Sequence, residues 1–365
     1  MAIELAPSTR SRVLLFGQTG VGKSTELARL ASLLHERYLV IQPSVDKVLN
    51  LQGTSWHELL VFSALWAYVH LREDWFGISA ESNADIEDLN AALGRALSLT
   101  PPTLRTFRGP PTPTALQRFR NEPLHARPLI AQGPAQFWDM ASALLRAIAE
   151  AANKPAVLIW DGLERMPLDS ARDLFLDARN PTSELPCRAV ITAPLALSFE
   201  SYFGDIEERF RLVERLRALP CDPDSPGYDF LLRMTEARGA SKIFSGELIG
   251  EAIRLSSGLP RQFLQLLSNA ATQALVDGLE RVQPESFARA VQRVTERWQY
   301  QLEPDDYEAL ELNDTERPSH IRARLLRIGA LVEHDLPTGG LRIVVNPLVE
   351  ALLRRRRQEA EHARD

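Results

Sequence analysis

Two hydrophobic rhythms alternate along this chain. Short uninterrupted apolar runs stand at residues 13–16, 38–42, 156–161 and 188–192, and a last one falls within 210–219. Runs without polar alternation predict strands buried on both faces of a parallel sheet. Between them, apolar residues recur at three- and four-residue spacing over 23–37, 56–71, 137–152 and 168–178, which predicts helices lying on that sheet. From 225 to about 297 the pattern is helical throughout, with segments 228–238, 245–256, 260–277 and 284–297. Helices over 304–312 and 318–328 follow, then strands over 331–334 and 341–345 around Pro337-Thr338-Gly339-Gly340, then a helix over 347–357. Helices followed by a glycine-turn hairpin outline a winged helix.

Strands alternating with helices give an α/β fold with a doubly wound parallel sheet. The expected division is an α/β domain over 1–222, a helical lid over 223–299 and a winged-helix domain over 300–365. One region breaks the pattern. Over 77–136 prolines recur at 101, 102, 110, 111, 113, 123, 128 and 134, with Arg105, Arg108, Arg118, Arg120 and Arg127 between them. Proline at that density rules out regular elements, so 77–136 is expected to be a surface insertion or docking segment.

Composition narrows the class. The chain has 365 residues, 45% hydrophobic and 25% charged, so it can bury a sizeable core. A net charge of −6 argues against a surface that clamps nucleic acid all over. Cys187 and Cys221 lack metal-ligand spacing and read as thiols in a reducing cytoplasm. No basic stretch precedes an apolar run at the start, so no export signal is expected. The most apolar run, 59–71, is shorter than the ~20 residues a bilayer span needs, so no membrane association is expected.

The chemistry begins after the first strand. Gly17-Gln18-Thr19-Gly20-Val21-Gly22-Lys23-Ser24 reads G-x-x-x-x-G-K-S between an apolar run and a helical pattern, with Thr25 following. Such a loop aims successive backbone N–H groups, and the helix N-terminus behind them, at phosphate. Lys23 is placed for the β- and γ-phosphates and Ser24 for the Mg²⁺ that bridges them. Lys23 is one of only four lysines, so its placement is less easily ascribed to chance. Asp161 ends the third apolar run and is the second candidate Mg²⁺ ligand. Glu164 lies three residues on, and reads either as a group orienting water or as a salt-bridge partner of Arg165.

The order of these motifs resembles the AAA+ class and its neighbours, the signal-transducing STAND ATPases. Walker A is Gly17 to Ser24, and Walker B is 157–161 in the string Leu-Ile-Trp-Asp-Gly-Leu-Glu-Arg. Thr192 ends the next buried strand, where that class has its sensor-1 residue. Glu208-Arg209-Phe210 resembles the box carrying an arginine finger. Ser257-Gly258-Leu259-Pro260-Arg261 is similar both to a sensor-2 arginine at a lid-helix start and to the G-x-P motif of STAND proteins. More loosely, Gly-Lys-Ser-Thr-Glu-Leu and Val-Asn-Pro-Leu-Val-Glu-Ala-Leu-Leu look like a bacterial group of AAA ATPases. In much of the class the general base directly follows the strand acid; here that position is Gly162.

The resemblance implies ATP and Mg²⁺ as cofactors, hydrolysis, a homo-oligomer on ATP binding and a protein partner. ATP over GTP rests on it and on the lack of an N-K-x-D guanine reader. Its rivals are a DNA-remodelling ATPase of initiator or transposition-helper type, and a nucleotide-locked scaffold with negligible turnover. DNA is the less favoured partner: residues 301–365 hold ten Arg against thirteen Asp and Glu. Arg322, Arg324 and Arg327 are the wing's candidates for phosphate contact, while Arg354 to Arg357 read as a solvated helix end.

Overall fold

The computed structural model describes residues 11–71, 127, 130–177, 181–336 and 339–362. Most of the 77–136 segment therefore lies outside the described residues. Its last part does not: the helix expected from 137 begins at Pro134, a proline at the first helical position, where its missing N–H costs nothing.

The chain forms two compact units. The first runs to Phe16 and resumes over Ser24–Glu214; the second is Gly17–Lys23 with Arg215–Asp365. In chain order the first unit contributes β1 (Arg12–Gly17), α1 (Lys23–Leu34), β2 (Leu39–Ile41), α2 (Val45–Val48), α3 (Trp56–Leu71), α4 (Pro134–Ala151) and β3 (Ala156–Trp160). It continues with α5 (Leu168–Leu176), β4 (Arg188–Thr192), α6 (Phe203–Glu207) and β5 (Leu212–Leu216), which runs on into the second unit. The sheet has the order β2-β3-β4-β1-β5, and β2–β3, β3–β4 and β1–β4 pair in parallel.

Every residue of β1, β3 and β4 is buried, including Arg12 and Arg188 at the strand starts, as strands covered on both faces require. An isolated bridge from Ser44 to Asp161 carries the β2–β3 pairing one step further. Helix α3 has no exposed residue over 56–67. Trp56 at its start meets Trp160 and Phe175 with ring centroids 5.8 and 5.3 Å away. Both indoles find acceptors, Trp56 Nε1 on Leu174 O at 2.8 Å and Trp160 Nε1 on Ser63 Oγ at 2.7 Å. A buried indole donor left unpaired would cost ~1–3 kcal/mol, so these bonds fix the register of α3.

The second unit holds α7 (Pro226–Ala237), α8 (Gly246–Leu255), α9 (Pro260–Val276) and α10 (Pro284–Gln299). Ser225 and Ser245 cap α7 and α8 through Tyr228 N and Leu248 N. On α10, Phe287, Ala290, Val294 and Trp298 are buried at helical spacing, one stripe facing the core. Next come α11 (Pro304–Glu311), α12 (Ser319–Ile328), β6 (Leu331–Asp335), β7 (Leu341–Val345) and α13 (Pro347–His362), with β6 and β7 antiparallel. This is the winged-helix outline. Leu348 of α13 belongs to the lid core. Gln262 and Asn346 exchange amide bonds at 3.2 and 2.9 Å, and Asn346 also reaches Gly329 O at 3.0 Å. That closed network is the structural use of the asparagine in Val-Asn-Pro-Leu.

Among the described residues, no helix is long and apolar enough to cross a membrane.

Candidate functional site

In the first unit the functional groups gather at the carboxyl end of β3. Asp161 follows the strand, and the Ser24 hydroxyl at the start of α1 bonds its carboxylate. Its Oδ1 is buried and has no hydrogen-bond partner among the described residues. Burial chiefly raises its pKa, Ser24 opposes that, and the charges of Glu164 and Asp46 raise it further. Asp46 is the residue that sequence reasoning missed. It enters from α2, because parallel pairing of β2 with β3 sets their carboxyl ends side by side. Gly162 has φ 102°, and a Cβ there would fall 2.7 Å from Asp46 Oδ1. Only glycine fits this turn.

Glu164 closes the same turn by accepting from Gly162 N at 3.0 Å. The alternative reading of Glu164, a salt bridge with Arg165, is not the pair seen: Arg165 reaches Asp46 Oδ2 at 2.5 Å. Thr192 is fully buried and donates to Trp160 O at 3.1 Å, fixing the residue before Asp161. Arg209 donates to Phe175 O and Asp177 O at 3.2 and 2.8 Å, where a cation suits the carboxyl end of α5.

In the second unit the glycine loop is held on several sides. Lys23 Nζ donates to Gly17 O at 2.7 Å and Gln18 O at 3.1 Å. Arg261 N donates to Gly20 O at 3.2 Å, and its side chain lies so close that a Cβ at Gly20, φ 89°, would sit 3.0 Å from Arg261 Cβ. Val21 packs with Ala218, Leu259 and Val332. Gly258 O accepts from Leu219 N at 3.0 Å, and Ser257 Oγ contacts His334 Nε2 at 3.2 Å. Thr19 and Gly22 complete the loop, and Thr25 lies in the first turn of α1.

Two of the three wing arginines are engaged by acids, and Arg327 is exposed. Arg322 pairs with Asp314, and Arg324 with Glu303 and the buried Asp306. The run on α13 is engaged as well: Arg354 with Glu350, Arg357 with Glu311, and Arg356 over the Tyr307 ring at 4.0 Å. All four arginines of the run are exposed, as a solvated helix end requires, and these contacts are surface ones.

Among the described residues no group of three or more His, Cys, Asp or Glu side chains is arranged to hold a metal. A hydroxyl beside one orphaned carboxylate oxygen nevertheless fits Mg²⁺, which keeps several waters and takes few protein ligands.

The parallel sheet order, a glycine loop after β1 and an acid after β3 define an α/β P-loop fold of AAA+ type with a helical lid and a winged helix. No protein-family model and no curated protein matches the chain. Among solved structures, Cdc6p from Pyrobaculum aerophilum is similar at 14% identity and TM-score 0.42, covering 96% of this chain and 88% of that one. The ORC2 protein of Aeropyrum pernix, in its ADPNP–ADP complexes, is similar at 13% and 0.41, covering 93% and 84%. The RuvB Holliday junction branch migration motor of Thermotoga maritima is similar at 14% and 0.39, covering 94% and 87%. Likenesses this distant carry no functional argument, which must come from the residues.

Proposed function

We propose that this chain is an AAA+/STAND-like ATPase that binds ATP with Mg²⁺, hydrolyses it, and uses the nucleotide as a switch controlling assembly or a protein partner. The observation that supports this best is the Ser24–Asp161 pair with its buried, unbonded Asp161 Oδ1. Ser24 and Asp161 are the residues that would hold Mg²⁺, which when bound neutralises phosphate charge. The amides from Gly17 to Ser24 and the Lys23 ammonium bind the phosphates. Glu164 is the candidate acceptor for the proton of the attacking water, once its carboxylate leaves Gly162 N. Thr192 holds the strand end that carries Asp161. Arg261, already against Gly20, links the loop to the lid. Arg209 can serve a neighbouring copy only by leaving the α5 carbonyls, so that role requires an oligomer. The working domains in this reading are 1–222, 223–299 and 300–365.

The test is equilibrium binding of a fluorescent ATP analogue with and without Mg²⁺. Wild type should bind more tightly with the cation, and Asp161→Asn should lose most of that gain. Equal Mg²⁺ dependence in both proteins would remove Asp161 from the site.

A further inference from the structure

We propose that the Gln18 side chain is a latch by which the wing strand β6 holds the phosphate-binding loop, and that phosphate in the loop opposes closure of the latch. The proposal rests on the nucleotide-binding reading above and names how that site is regulated.

The motif leaves position 18 open, since its backbone N–H, not its side chain, faces phosphate. Yet Gln18 is 1% exposed, and its whole amide is used. Nε2 donates to Leu326 O at 3.0 Å and Leu331 O at 2.6 Å, and Oε1 accepts from Glu333 N at 2.8 Å. Two donors and one acceptor thus bind the end of α12 and the first half of β6. The hydrophobic contact of Val21 with Val332 and Leu259, and the bond from Arg261 N to Gly20 O, hold the same loop on either side.

The coupling runs through one residue. Gln18 O also accepts from Lys23 Nζ. When the ammonium turns to a phosphate, that charge-assisted bond is given up and the loop must rearrange around the anion. Three short side-chain bonds to a fixed backbone do not follow such a shift without loss of geometry. Phosphate occupancy therefore weakens the latch, and by reciprocity opening the latch strengthens phosphate binding. Release of β6 frees the wing, which is the output a nucleotide switch needs.

The experiment is hydrogen exchange of residues 331–335 in the full chain, with a non-hydrolysable ATP analogue and Mg²⁺, binding being measured on the same samples. In wild type, nucleotide should speed exchange in this segment. In Gln18→Ala the segment should exchange fast from the start and respond no further, and the analogue should bind ~5-fold or more tightly, a typical coupling. Gln18→Glu keeps the size but sets a carboxylate against two carbonyls, and should behave likewise; far-ultraviolet circular dichroism identifies whichever variant is folded. Bound nucleotide with no change at 331–335 in wild type overturns the latch while leaving the nucleotide site standing. Variants that bind no more tightly also overturn it. A wild type that binds no nucleotide overturns the functional reading, and the latch with it.

Discussion

At the end of β3, Asp161 keeps a buried oxygen unbonded beside two further acids, whereas in the glycine loop Gln18 has a partner for each of its amide groups. Both regions flank the same Lys23–Ser24 step. The acid end is short of positive charge, so a cation relieves it. The loop is already satisfied, so an anion must displace bonds that exist. In the proposed reading a cation gains at the acid end, and phosphate costs bonds in the loop.

The largest test of this contrast is Lys23→Ala. It removes the charge that trades loop carbonyls for phosphates, and tight nucleotide binding should vanish while circular dichroism stays native. A variant that binds as wild type does would end the reading of the loop. Next is Arg209→Ala, in the first unit but outside both regions. It should bind nucleotide near-normally and hydrolyse ~10³-fold more slowly, the lower end for loss of an arginine finger. Mixing it with Lys23→Ala should restore some turnover if the finger acts between copies; mixed oligomers with no turnover would return Arg209 to its role on α5.

Glu164→Gln probes the acid end. Binding should persist while turnover falls ~10²-fold or more, the scale of a general base. Unchanged steady-state turnover would shift the base away from Glu164.

The smallest effect concerns the wing behind the latch. Glu333 is buried, bonds Arg215 through Oε1 at 3.0 Å and leaves Oε2 without a partner among the described residues. Burial raises its pKa above the ordinary 4.5, with Arg215 and Arg217 only partly opposing. The folded state therefore holds this proton more tightly than the unfolded one. Its contribution to stability is present below the ordinary value and is lost as pH rises through the folded value. Glu333→Gln should flatten that decline in denaturant unfolding as pH rises above the ordinary 4.5. Parallel curves for the two proteins would show that Glu333 does not titrate in this way.

Much of the fold was legible because its signals are local. The strand 188–192 and the helix 56–71 appear as the apolar pattern placed them, and the ends of α7 to α10 differ by a few residues at most. The short α2 was not legible, since four residues carry no periodicity. Partners were the less legible part. Adjacency left a Glu164–Arg165 pair open, but Arg165 takes Asp46, 119 residues away. Arg322 and Arg324 looked available for phosphates until folding set acids against them. No spacing rule encodes such pairs, because they depend on which chain ends the sheet brings together.

The sequence by itself determined the buried strands and the G-x-x-x-x-G-K-S loop, because hydrophobic runs and glycine spacing act on the backbone where they stand. Only the tertiary structure decided that Asp46 shares the turn of Asp161, that Arg209 sits on α5, and that Gln18 is gripped by β6. Hydrogen bonds and ion pairs form with whatever lies within about 3 Å in space, whatever the separation along the chain.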